Sequence, residues 1–171
     1  MAAGNAGPAA KTISSPGDAK GALTVGAADK TEALAFYSSR GPVPGVRYGK
    51  PDLVAIGGGV TQGGAACAYG TGVASARAAA LAKDPCAVAP SYVRMSGTSM
   101  ATPHVAGICA LLLQAIGQEH STPAAAATRV RHALVASARP MRGTKKSETG
   151  AGLVDAEHAL ALVRTKGRAA A

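Results

Sequence analysis

At 171 residues the chain is one domain's worth of polypeptide, long enough for a single hydrophobic core. Hydrophobic residues make up 47%, yet there is one Phe and no Trp, so the core must be packed closely from small side chains, chiefly Ala and Val. The formal charge of +9 gathers partly in the C-terminal third, at Arg129, Arg131, Arg139, Arg142, Lys145, Lys146, Arg164, Lys166 and Arg168; without aromatic interleaving or a nucleic-acid motif it reads as solvated helix faces and a basic tail, and no nucleic-acid partner is expected. No uninterrupted apolar run reaches the length of a membrane span, the longest being Val105 to Ile116, and Met1 to Asn5 carries no signal-type pattern.

In chain order, Met1-Ala2-Ala3-Gly4-Asn5-Ala6-Gly7-Pro8 reads as the end of a buried strand breaking into a loop. Lys11 to Gly21, centred on Ser14-Ser15-Pro16-Gly17, is loop chemistry. Ala22 to Ala27 and Leu34 to Tyr37 are predicted strands, followed by a turn at Ser38-Ser39-Arg40-Gly41-Pro42 and a further element over Lys50 to Gly57. Residues 57–90 form a long Gly/Ala-rich insertion in which Ala74 to Lys83 suits a short surface helix. Its glycines precede no Lys-Ser/Thr, so a phosphate cradle is not expected. Cys67 and Cys86 bracket part of this segment and are candidates for a disulfide in an oxidising compartment. Cys109 falls within an apolar run as a small core residue, and none of the three cysteines forms a CxxC pair, which argues against zinc. Tyr92 to Met95 is a last short strand. Helices are predicted over Thr98 to Gln118, buried and with Pro103 in the first turn, over Ala124 to Ser137 behind a Thr122-Pro123 start, and over Ala156 to Arg164 behind Asp155. Thr165 to Ala171 reads as a frayed basic tail.

The chain is organised around Ser96-Gly97-Thr98-Ser99-Met100-Ala101-Thr102-Pro103-His104-Val105-Ala106-Gly107. A small loop delivers Ser99 to a helix N-terminus, where free N–H groups and the helix dipole favour developing negative charge. For an arbitrary serine in that place an N-cap role is the default. This full run, however, resembles the nucleophile signature of the subtilisin-like serine proteases, the subtilases, at every fixed position. The resemblance makes Ser99 the nucleophile. The local pattern, Gly97-Thr98-Ser99-Met100-Ala101, is G-x-S-x-A and does not fit the α/β-hydrolase elbow.

The resemblance extends from Met1 to about Val163. Ala2-Ala3-Gly4-Asn5 is similar to the family segment whose asparagine donates to the oxyanion, which implies that role for Asn5. By the same resemblance Ala2, Ala3, Gly4 and Ser14 lie along the pocket for the residue preceding the scissile bond. Leu23 to Ala27, Ser38 to Pro42, Lys50 to Gly57 and Gly150 to Asp155 each resemble a family element, with Ile56 where proline is usual. The implied fold is α/β: part of a doubly wound, mainly parallel sheet around the helix that bears Ser99.

A serine hydroxyl needs a base, and the base an orienting acid. In subtilases these precede the serine in Asp-[ST]-Gly and His-Gly-Thr-His contexts, and neither occurs here. Asp52 reads as a turn carboxylate, and His104, five residues after Ser99 on the same helix, points away from its hydroxyl. The expectation is therefore residues 1–164 as the C-terminal part of a subtilase catalytic domain, a serine endopeptidase inert without the Asp and His half. The resemblance implies a polypeptide substrate, that missing half as partner, and no required cofactor. A structural calcium is possible in the family, though no residues here read as its site. Members are often secreted, but this chain does not reveal its compartment. The reading from another class is an inert remnant that binds peptide or protein.

Overall fold

The computed structural model describes residues 1–60, 71–78, 86–89, 91–117 and 122–168. Five strands, β1 (Val25–Ala28), β2 (Leu53–Ile56), β3 (Val73–Ala76), β4 (Ala87–Ala89) and β5 (Tyr92–Met95), are followed by four helices, α1 (Thr98–Ile116), α2 (Pro123–Ser137), α3 (Lys146–Thr149) and α4 (Ala156–Arg168).

β1 and β2 pair in parallel, Val25 opposite Leu53 through Ala28 opposite Ile56. Single parallel bridges extend this ladder on both sides, Ala2 to Val25 and Val54 to Leu153. Every residue of β1 is buried, as expected of a parallel strand covered on both faces. The fold is thus α/β with a short parallel sheet at its centre. α1 packs on β1 and β2, while α2 and α4 pack on each other and on α1. Val25, Ala27, Leu53, Ala55, Val105, Leu112, Leu134 and Val163 share one core, and small residues do most of the filling. Gly150 and Gly152 close the sheet at positive φ, +60° and +120°. A Cβ would stand 2.2 Å from the Asp52 carbonyl oxygen at Gly150 and 2.1 Å from that of Arg139 at Gly152. Only glycine fits either place.

Several expectations are corrected. Leu34 to Tyr37 is not a strand. Leu34 makes one antiparallel bridge to Ala28, and the chain then turns so that the Ser38 hydroxyl accepts from Ala27 N–H (2.9 Å) and Ser39 from Ala6 N–H (3.0 Å). Ala74 to Lys83 does not begin as a helix: Val73–Ala76 is strand, paired antiparallel with β5. Alanine's helix preference gives way to a neighbouring strand in need of a partner. Residues 79–83 lie outside the described residues. β3, β5 and β4 form an antiparallel sheet, in that order, separate from the parallel one. α4 reaches Arg168, four residues beyond its predicted end. Cys86 is disulfide-bonded, and its expected partner, Cys67, lies outside the described residues. Cys109 is free and half-buried.

α1 departs from expectation in two ways. Pro103 lies in its second turn, so the Ser99 carbonyl has no N–H four residues on. The helix is also only partly covered: Thr98, Ala101, Val105 and Leu112 are buried, whereas Leu111 and Leu113 are 57% and 46% exposed. By length and composition its 19 residues are long and apolar enough to cross a membrane, although no single unbroken run suggested it. Its packing on β1 and β2 makes it the central helix of the fold.

Candidate active site

α1 starts at Gly97, with Thr98 and Ser99 as its first two residues. Gly97 is held by the loop after β2: its N–H donates to the Gly57 carbonyl (2.9 Å), and the Ser96 hydroxyl donates to the Gly59 carbonyl (2.8 Å). Ser99 is exposed at the mouth of this turn, and among the described residues its hydroxyl has no hydrogen-bond partner.

Asn5 reaches the same helix start from the other side. Its Oδ1 accepts from both the Thr98 N–H and the Thr98 hydroxyl, each at 2.9 Å. The Thr98 hydroxyl in turn accepts from Gly4 N–H at 3.2 Å. With its oxygen fixed on Thr98, the Asn5 amide turns Nδ2 toward Gly97. A Cβ on Gly97 would lie 3.2 Å from that nitrogen. Met100 and Ala101 N–H both bond back to the Gly97 carbonyl. Among the described residues neither the Ser99 N–H nor Asn5 Nδ2 has an acceptor. A free backbone N–H at a helix N-terminus, with an exposed side-chain amide anchored on the residue before it, is an arrangement suited to anion stabilisation.

The Asn5 loop is braced from below. Ser39 N–H donates to the Gly4 carbonyl (2.9 Å), and Gly7 N–H donates to the Tyr37 carbonyl (2.9 Å). Gly4, at φ +106°, leaves room for Ser14 and Ser39: a Cβ there would meet both hydroxyls at 2.8 Å. Ser14 N–H donates to the Ala3 carbonyl (3.2 Å), which sets Ser14 beside the Ala2–Gly4 segment; Ala3 itself is fully buried, so it offers no surface, whereas Ser14 and Asn5 are exposed. The sequence reading missed Thr98 as the link between Asn5 and Gly4, although it sits inside the motif, and missed Tyr37 and Ser39 as supports.

His104 is exposed, with Nδ1 2.8 Å from the Met100 carbonyl oxygen and facing away from Ser99. Asp52 is a structural anchor: its carboxylate accepts from Thr24 N–H (2.7 Å), Lys50 Nζ (2.8 Å) and Arg131 Nη2 (2.5 Å). Among the described residues no three of His, Cys, Asp and Glu gather as a metal-binding group.

The chain matches the Subtilase family over residues 1–156. It is 34% identical over 169 residues to the serine protease AprX of Bacillus subtilis, which covers 94% of this chain and 34% of that protein. It is 35% identical over 160 residues to the membrane-bound transcription factor site-1 protease of Mus musculus, covering 90% of this chain and 13% of that protein. The solved structure of the prenylagaramide maturation protease PagA superposes with a TM-score of 0.69 at 25% identity, over 95% of this chain and 49% of that one. The chain therefore spans about a third of AprX and about half of the PagA chain. With the Ser96 to Gly107 motif at the start of a central helix and the Asn5 carboxamide tied to the same turn, these matches assign the chain to the subtilase family.

Proposed function

We propose that this chain supplies the nucleophile and the oxyanion donors of a subtilisin-type serine endopeptidase. Residues 1–164 form the C-terminal part of its catalytic domain. The observation that carries this is the double anchoring of Asn5 Oδ1 on Thr98, one residue before Ser99, with Nδ2 and the Ser99 N–H both open as donors among the described residues. In this reading Ser99 Oγ attacks the scissile carbonyl of a polypeptide. The carbonyl oxygen takes the negative charge between Asn5 Nδ2 and the Ser99 N–H. Collapse expels the amine, and water then releases the acyl group from Ser99. The residue preceding the scissile bond rests along Ala2, Gly4 and Ser14, the buried Ala3 contributing no surface.

The proton on Ser99 Oγ needs a base. His104 is turned to Met100, and Asp52 is fully engaged by Lys50, Arg131 and Thr24. The base and its acid therefore come from residues outside these 171, upstream or on a second chain, and the chain alone is inert. Ser99, Pro103, Ala106, Gly107 and Ala110 share one exposed face of α1, and a Cβ at Gly107 would meet nothing within 4 Å. That open face has room for the segment that brings the base. The second reading is an inert remnant whose apolar helix face binds a protein partner, and the exposure of Leu111 and Leu113 favours it.

A fluorophosphonate serine probe, read by intact mass with Ser99→Ala as control, separates the readings. No labelling of the folded chain alone, and labelling after co-expression with a family segment that carries Asp-Ser-Gly and His-Gly-Thr-His, is the expected result. Labelling of the chain alone would show Ser99 to be activated without that segment. No labelling in either case would favour the remnant.

A further inference from the structure

Tyr37 is 7% exposed and touches both arms of the site. Its backbone carbonyl accepts the Gly7 N–H, two residues after Asn5, at 2.9 Å. Its hydroxyl donates to the Gly58 carbonyl at 2.6 Å and lies 3.0 Å from the Gly57 carbonyl oxygen. That Gly57 oxygen also receives the Gly97 N–H, two residues before Ser99, at 2.9 Å. Gly57 itself is pinned from behind, its N–H donating to the Ala28 carbonyl at 2.8 Å. There is no slack in this contact. A Cβ at Gly57 would stand 2.6 Å from the Gly97 carbonyl oxygen, 2.7 Å from Ala27 Cβ and 3.1 Å from the Tyr37 hydroxyl oxygen.

We infer that Tyr37 is a positioning residue for the proposed oxyanion site, holding the Asn5 loop by its backbone and the Gly97–Ser99 turn by its hydroxyl. The inference rests on the proposed function for its consequence, since it is the separation of Asn5 Nδ2 and the Ser99 N–H that the clamp sets. The phenol has one proton for two carbonyls. It therefore fixes Gly57 and Gly58 relative to each other, and with them the strand end onto which Gly97 is bonded. Burial keeps this phenol protonated far above neutrality, so it remains a donor throughout the working range of a hydrolase. A phenylalanine here would keep the ring and the backbone bond to Gly7, and would lose only the clamp on the Ser99 side.

The test is Tyr37→Phe in the whole 171-residue chain, read by hydrogen–deuterium exchange, which needs no activity. Loss of one buried hydrogen bond is expected to speed exchange in residues 96–100 by about fivefold, while β1 and β2 exchange at the parent rate. Unchanged exchange in 96–100 would overturn the proposal. Equal acceleration in β1 and β2 would also overturn it, by making Tyr37 a general core residue. The same variant is then labelled with the fluorophosphonate probe in the co-expressed form. Labelling slowed by about fivefold at an unchanged half-saturating probe concentration supports a positioning role. If the parent fails to label, the proposed function fails, and the exchange result still decides Tyr37.

Discussion

The Asn5 carboxamide oxygen and Thr98 are joined twice, through the Thr98 N–H and its hydroxyl, both at 2.9 Å. This pairing bridges more than ninety residues of sequence and joins the two arms of the site one residue before Ser99. It also fixes which end of the amide lies on Thr98, because only the carbonyl end can accept from two donors.

Thr98→Ala removes one of those bonds and the acceptor for Gly4 N–H, at a residue only 1% exposed. A loss of about 1–3 kcal/mol in urea unfolding is expected. Thr98→Ser keeps the hydroxyl and should recover most of it. Equal losses in the two variants would mean that the threonine methyl, rather than the hydroxyl, matters.

Asn5→Asp keeps an oxygen for Thr98 but has no amide hydrogen to offer an oxyanion. Fold and urea midpoint should stay close to the parent. Peptide hydrolysis by the completed enzyme should fall about ten- to a hundredfold, the value of one hydrogen bond to a charged group. Steady-state kinetics with a chromogenic peptide would show the loss in kcat.

Asp52→Asn isolates a structural carboxylate. Lys50, 1% exposed, would lose its ionic partner in the interior and keep the Ala22 carbonyl (2.5 Å). Arg131 would lose its ionic tie as well. Destabilisation of about 3 kcal/mol or more is expected, measured as a lowered denaturant midpoint. In the co-expressed form, Ser99 labelling per folded molecule should match the parent, which separates a structural carboxylate from a catalytic acid.

Tyr37 gives an alkaline signature. Burial raises its phenol from 10.0 to about 12, with Asp29 adding in the same direction and the Gly97 backbone opposing. Between those values the unfolded chain has released the proton and the folded chain has not. The stabilisation is thus fully present below about pH 10 and is lost as pH rises toward about 12. Urea midpoints across that range should fall more steeply for the parent than for Tyr37→Phe. Parallel curves would mean the phenol is not held in a buried, protonated state.

Much of this was legible in the sequence because motif and propensity agreed. Tyr92 to Met95 reads as a short strand and is β5, and Thr122-Pro123 caps and opens α2, with the Thr122 hydroxyl accepting from Ala125 N–H at 3.3 Å. Asn5 and Ser99 carry motif signals at both ends of the contact. Thr98 lies inside the Ser99 motif, but its bonds to Asn5 and Gly4 are not legible there, because they are contacts across the fold. Leu34 to Tyr37 looked like a strand because its residues are apolar and aromatic. The competing pull came from the next two residues, whose hydroxyls serve Ala27 and Ala6 instead of solvent. Ala74 to Ala76 looked helical because local composition cannot see β5 alongside. Tyr37 in a row of apolar residues reads as core filling, and only the carbonyls of Gly57 and Gly58 disclose the use of its hydroxyl.

The uncovered side of α1 has a colloidal consequence. Copies of this chain carry a formal charge of +9, which keeps them apart in dilute buffer. At about 0.1 M ionic strength that repulsion is screened beyond about 10 Å. Leu111 and Leu113 then meet other copies with little to oppose their burial. Added salt should accordingly drive this chain toward self-association, a response that a segment completing the domain as proposed should abolish.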